Sequence, residues 1–214
     1  MTIYDQALSK EIAQALLNIE AVFLRPHEPF TWTSGIQSPI YCDNRMTLSF
    51  PEVREKIADG FVQIIREQYP DAEVIAGTST AGIPHAAWIA QKMNLPMVYI
   101  RDKAKGHGKQ NQIEGLLKKG QKVVVIEDLI STGGSSLKAS LAVREAGAEV
   151  LATIAIFTYE FEKAKQGFDD AGIQLATLSG YSDLIKVAVE SGNVQEEDVA
   201  LLNSWREDPS AFGK

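Results

Sequence analysis

The stretch Val123 to Ser136, VVVIEDLISTGGSS, constrains this chain more than any other segment. It opens with an apolar β-branched run, Val123 to Ile126. Two carboxylates follow, Glu127 and Asp128, then a hydroxyl- and glycine-rich turn from Ser131 to Ser135, then a helical pattern from Leu137. Such a run reads as a buried parallel strand that delivers the carboxylates and the turn to the crevice at a sheet's carboxyl edge. Free backbone N–H groups, hydroxyl donors and a helix N-terminus together suit a phosphate. The carboxylates cannot serve that same phosphate. They suit vicinal hydroxyls, as on a ribose, or a metal ion held close to them. A ribose carrying a 5-phosphate satisfies both halves at once.

A Ser, Thr and Gly turn can also serve only to cap the helix that follows it. Two adjacent carboxylates beside a buried strand need a further reason, because buried unpaired charge is costly. The Walker loop and the dinucleotide fingerprint are both absent.

Alternating helix and strand patterns run along the chain. A helix is predicted over about residues 4–20, with Leu8, Ile12, Ala15, Leu16 and Ile19 on one face. The segment 25–50 holds Pro26, Pro29 and Pro39 and reads as an irregular hood. Pro51 opens a helix carrying Val53, Ile57, Phe61, Ile64 and Ile65 at helical spacing. Strands are predicted near 73–76 and over 97–100, 122–127, 149–157 and 173–178. Helices are predicted over 83–93, 136–146, 160–170, 182–191 and 195–206, with Gly147 as a cap. This order implies one domain over 1–214 of the α/β class: a mostly parallel central sheet flanked by helices, with residues 1–50 as an N-terminal helix and hood.

A second turn, Gly77-Thr78-Ser79-Thr80-Ala81-Gly82, sits at another strand-to-helix junction. It could cradle a diphosphate, or merely cap a helix. His85, at the start of an apolar helix, reads as structural. Between Asp102 and Gln112 only Ala104 is aliphatic, while Lys103, Lys105, His107 and Lys109 add positive charge beside Arg101. A loop so solvated cannot close on apolar contacts; it closes on an anion that gathers its cations.

At 214 residues the chain can bury a full core, and its net charge of −7 argues against non-specific nucleic-acid binding. The cationic loop opposes that overall sign. No apolar run reaches membrane-spanning length, and the N-terminus lacks the basic start of a secretion signal. Cys42 is the only cysteine, so an intrachain disulfide is impossible and a cytoplasmic setting is expected.

VVVIEDLISTGGSS resembles the phosphoribosyl-pyrophosphate (PRPP) signature of the type I phosphoribosyltransferases. Arg101 to Gly115, RDKAKGHGKQNQIEG, resembles the catalytic loop of the orotate-using branch of that family. Phe30 to Arg45, FTWTSGIQSPIYCDNR, resembles that branch's substrate segment. The resemblance implies the type I phosphoribosyltransferase fold and transfer of a phosphoribosyl group from PRPP to orotate. It implies PRPP contacts from Glu127, Asp128, Leu129, Ile130, Ser131, Thr132, Gly133, Gly134 and Ser135, and from Thr78, Ser79 and Thr80. Arg101, Lys105 and His107, helped by Lys103, would meet the diphosphate, and Asp128 would act in catalysis. Glu127 and Asp128 would hold Mg²⁺ directly or indirectly. Ser131, Thr33, Ser34 and Arg45 are the orotate candidates, with Arg45 equally suited to pair with Asp43. A homodimer with shared active sites is implied, without nucleic-acid or membrane partners.

Two positions depart from the branch. Thr33 stands where many members carry lysine, and the run Phe157-Thr158-Tyr159-Glu160 lacks an arginine that many carry. A phosphoribosyltransferase for another base, or a non-catalytic PRPP sensor, remains the alternative.

Overall fold

The protein's structure is a computed structural model that describes residues 1–32, 35–102 and 112–212. The expected contacts of Thr33, Ser34, Lys103, Lys105 and His107 lie outside the described residues. Helix α1 (Gln6–Asn18) begins at Asp5, whose carboxylate accepts the N–H groups of Ala7 and Leu8. It buries Ile12, Ala13, Leu16 and Leu17. The hood follows as strands β1 (Val22–Leu24), β2 (Phe30–Thr31), β3 (Gln37–Ser38) and β4 (Ile40–Cys42), then a 3-10 helix (Asn44–Ser49). β1 pairs antiparallel with β4, and β2 with β3. The expectation of an irregular hood is corrected by these short ladders. The prolines sit between them, where no ladder donor is needed.

Helix α2 (Pro51–Gln68) has proline in its first turn and buries Ile57, Phe61, Ile64 and Ile65. The core sheet then alternates with helices: β5 (Val74–Thr78), α3 (Gly82–Met93), β6 (Met97–Ile100), β7 (Ile113–Glu114), β8 (Lys122–Ile130), α4 (Gly134–Glu145), β9 (Glu149–Thr158), α5 (Glu162–Asp170), β10 (Gln174–Gly180) and α6 (Tyr181–Glu190). A second 3-10 turn (Glu196–Asp198) leads into α7 (Val199–Glu207), so the last expected helix is divided.

The sheet order is β10-β9-β8-β5-β6-β7. All neighbours are parallel except β7, which returns antiparallel to β6 and so takes residues 113–114 out of the expected loop. Val123 to Ile126 are fully buried because β8 is central. Val124 and Ile126 join the core beneath α1, α2 and α6, while Val123 and Val125 join the core beneath α4 and α5. Burial on both faces is why the run is continuously apolar rather than alternating. β8 also extends past the predicted end at 127, because β9 stays alongside it: Leu129 pairs with Phe157 and Ile130 with Thr158. Gly147, at φ +87°, ends α4 by donating its N–H to the Arg144 carbonyl at 2.8 Å.

Candidate active site

The chain leaves β5 for β6 on one side of the sheet and leaves β8 for β9 on the other. At such a switch point the strand ends diverge and a crevice opens at the carboxyl edge. The turns after β5 and β8 are the two glycine-bounded loops singled out in the sequence. Neither loop spends its hydroxyls on its helix, since no side chain caps α3 or α4. The capping account of their composition therefore fails.

A cavity of about 470 Å³ lies in the crevice, lined by Cys42, Asp43, Arg45, Ser79, Thr80, Ala81, Glu127, Asp128, Leu129 and Ser135. It brings together the hood, the carboxylate pair and both loops. A second cavity of about 210 Å³ adjoins it through Ser79 and Ser135, lined also by Thr78, Ile100, Arg101, Asp102, Gln112, Lys138 and Ala139. Arg101 reaches this space from the end of β6, with its guanidinium 3.5 Å from the Glu114 carboxylate. The Gln112 side-chain amide ties down the carbonyls of Arg101 and Asp102 at 3.2 Å each.

Glu127 and Asp128 are partly buried and adjacent. Glu127 is pushed well above the usual carboxylate range by burial and then by the charge of Asp128. Asp128 is raised as well, mainly by burial. Two buried carboxylates that resist joint ionisation favour an arriving cation or hydroxyl donors. The donor set fits Mg²⁺, which takes one or two carboxylates from a protein and leaves its other positions to water and substrate oxygens. Among the described residues no group of three or more His, Cys, Asp or Glu gathers to hold a metal.

Several expected contacts are placed differently. The Thr78 hydroxyl, expected at a diphosphate, donates to Glu127 Oε1 at 2.7 Å and lies 3.1 Å from the Ile126 carbonyl. It orients a carboxylate. The Ile130 side chain is fully buried in the core, and its carbonyl accepts the Tyr159 N–H at 3.0 Å, so it offers a ligand little. Arg45 forms a two-pronged pair with Asp43, at 2.6 and 2.8 Å, on the cavity wall. Gly133 holds φ +76° at the mouth of α4, with Ala164 where a Cβ would point. There the chain turns tightly enough to present the N–H groups of the 131–135 loop.

The sequence reading left out Lys138 and Asn44. Lys138 follows Ser135 by three residues, so the two share a helix face. That spacing was the available signal. Cys42, taken as a packed loop residue, is indeed buried but also lines the larger cavity. His85 is 1% exposed, as a structural histidine should be.

Residues 48–175 match the family described as Phosphoribosyl transferase domain. Over 207 residues, 97% of this chain and 99% of the relative, the sequence is 59% identical to an orotate phosphoribosyltransferase of Enterococcus faecalis. The chain belongs to the orotate phosphoribosyltransferase family. A second orotate phosphoribosyltransferase, from Listeria innocua, is 58% identical over 97% of this chain and all of its own length. Among solved structures, the orotate phosphoribosyltransferase of Aeropyrum pernix matches with a TM-score of 0.73 at 28% identity, over 85% of this chain and 98% of that one. Leishmania donovani UMP synthase matches with a TM-score of 0.78 at 29% identity, over 94% of this chain and 42% of that chain. The structural matches show that the chain has the fold of these proteins. In the run after β9 that departs from the family pattern, Glu160 accepts the Ser182 N–H at 3.2 Å and pairs with Arg206 of α7 at 3.0 Å. It braces the N-terminus of α6 against α7.

Proposed function

We propose that the protein transfers the 5-phosphoribosyl group of PRPP to orotate, giving orotidine 5′-monophosphate and pyrophosphate in pyrimidine (UMP) synthesis. The observation that carries this reading is the 470 Å³ cavity, which Cys42, Asp43 and Arg45 of the hood segment line together with the Glu127–Asp128 pair and Ser135 of the phosphate loop. The choice of orotate rests on the full-length likeness to orotate phosphoribosyltransferases.

A ring nitrogen of orotate bonds to the anomeric carbon as the carbon–oxygen bond to the diphosphate breaks. The bonding electron pair leaves with pyrophosphate, and the proton of the ring nitrogen passes to the departing pyrophosphate or to water. No covalent nucleophile from the protein is needed. The N–H groups and hydroxyls of the 131–135 loop hold the 5-phosphate. Glu127 and Asp128 hold the ribose hydroxyls and Mg²⁺, which when bound offsets the charge of the leaving diphosphate. Ser79 and Arg101 face that diphosphate from the adjoining cavity, and Thr80 faces it from the larger one. Lys103, Lys105 and His107 are assigned to it from the sequence alone. The hood shields the anomeric carbon from water. Arg45, Ser131, Thr33 and Ser34 are the orotate contacts we propose. We also propose a homodimer, supported by the apolar residues Phe23, Tyr41, Met46 and Phe50 left exposed on the hood and the 3-10 helix after it. A cytoplasmic setting is supported by the lone, reduced cysteine. Among the described residues no helix is long and apolar enough to cross a membrane.

The test is loss of orotate absorbance with PRPP and Mg²⁺, run beside adenine, hypoxanthine and uracil. Orotate should be consumed far faster than the others. Comparable turnover of a purine would overturn the base assignment while leaving PRPP chemistry intact.

A further inference from the structure

Asn44 is 1% exposed and stands at the start of the hood's 3-10 helix, yet no step of the proposed chemistry uses it. Its Nδ2 donates to the Asp128 main-chain carbonyl at 2.7 Å. Its Oδ1 lies 3.4 Å from the Cys42 thiol, which donates to it. Its own carbonyl accepts the Thr47 hydroxyl at 2.6 Å. A carbonyl can only accept, so the amide nitrogen must face Asp128 and the amide oxygen the thiol. The side chain therefore has one orientation.

The partner it meets is informative. β5 pairs with β8 as far as Gly77 opposite Ile126 and no further. The Thr78 side chain reaches the Ile126 carbonyl at 3.1 Å. β5 has ended before Asp128, and the Asp128 carbonyl takes its donor from Asn44 instead. The edge of β8 is thus completed from the hood, at the residue that carries a site carboxylate.

We propose that Asn44 is a positioning residue that fixes the Asp128 peptide, and with it the direction of the Glu127–Asp128 pair, while holding the hood at a set distance from the ribose site. This amide links the hood segment directly to the strand that carries the site carboxylates. The inference rests on the orotate phosphoribosyltransferase reading. Misplacement of reacting groups by about 1 Å costs on the order of a hundredfold in rate, whereas loss of a remote buried hydrogen bond costs stability only.

The experiment compares wild type, Asn44→Ala and Tyr181→Phe for kcat, KM of PRPP, KM of orotate and thermal midpoint. Tyr181→Phe is the control, because it also removes a buried donor to a main-chain carbonyl, the 2.9 Å bond to Leu202, away from the crevice. Asn44→Ala should lower kcat by about ten- to a hundredfold and raise KM for both substrates, with a fall in midpoint no larger than that of Tyr181→Phe. Tyr181→Phe should keep wild-type kinetics. Unchanged kcat and KM in Asn44→Ala would overturn the inference. If Asn44→Ala does not fold, Asn44→Leu, close in size but without a donor, is judged by the same criteria. Failure of both to fold would make Asn44 a structural residue and also overturn it. A wild type that binds PRPP by calorimetry but ignores orotate would instead sink the functional reading, and Asn44→Ala would then be judged by its PRPP affinity.

Discussion

At the scale of single residues, burial decides the charge states that matter. Asp128 is raised by burial and sits beside Glu127, so its negative charge becomes favourable when ribose hydroxyls or a cation arrive. Asp128→Asn keeps the shape and removes that charge. Turnover should fall by at least about tenfold, the order for one lost electrostatic contact, with unchanged circular dichroism. A fully active variant would remove Asp128 from the mechanism. His85 shows the opposite case. Burial pushes its pKa down to about 4, and its Nδ1 has no hydrogen-bond partner among the described residues. The folded state thus holds the ring neutral, and protons favour the unfolded chain. Its contribution is fully present above about pH 6.5 and is lost as pH falls through about 4, to a limit of about 3 kcal/mol. Urea unfolding of wild type and His85→Leu between pH 7 and pH 4 tests this. The wild-type curve should fall more steeply on acidification, and parallel curves would show that His85 does not titrate against its burial.

At the scale of elements, the site depends on how closely α3 and β8 approach. A Cβ added at Gly82 would strike the Ile126 carbonyl and the Thr78 hydroxyl, which holds Glu127. Gly82→Ala should therefore cost about 1–3 kcal/mol and raise KM for PRPP. Gly134, at the start of α4, has open space where its Cβ would go, so Gly134→Ala should change the unfolding free energy by less than about 0.5 kcal/mol. Equal costs at the two positions would mean that the close packing of α3 on β8 does not hold in solution. The alternation of core strands and helices was legible because buried runs such as Val123–Ile126 and helix faces such as Ile57-Phe61-Ile64 keep their own periods. The extension of β8 past Glu127 to Ile130 was not, because two acids read as a strand's end unless β9 is known to lie alongside. The hood ladders escaped for a related reason: strands of two or three residues carry no period. The same limit hid Asn44, whose role depends on where β5 stops, and the bond from the Thr78 hydroxyl to Glu127 on the neighbouring strand.

At the scale of the whole molecule, the question is whether one chain suffices. Phe23 and Tyr41 stand opposite each other in the β1–β4 ladder and remain 37% and 41% exposed, with Met46 at 40% and Phe50 at 37% farther along the same segment. Water-facing aromatics gathered on one segment favour a second copy of the same surface, since paired symmetric contacts close. Sedimentation should therefore give about twice the chain mass of 23.4 kDa. In the arrangement proposed from the family resemblance, the cationic segment would act in the partner's site. Lys105→Ala should then disable the site that its segment would enter, and Asp128→Ala the site of its own subunit. A mixed dimer of the two carries both lesions in one site and none in the other. After mixing and re-equilibration half the dimers are mixed, each with one intact site of two, so about a quarter of wild-type activity should return. Were the segment to act within its own subunit, every site would keep one lesion and nothing would return. Subunit exchange is verified separately by pull-down of a tagged copy. Exchange without recovery rejects the shared arrangement and leaves the chemistry of the crevice standing, whereas a monomer in sedimentation rejects the dimer itself and calls for another reason for the exposed hood aromatics.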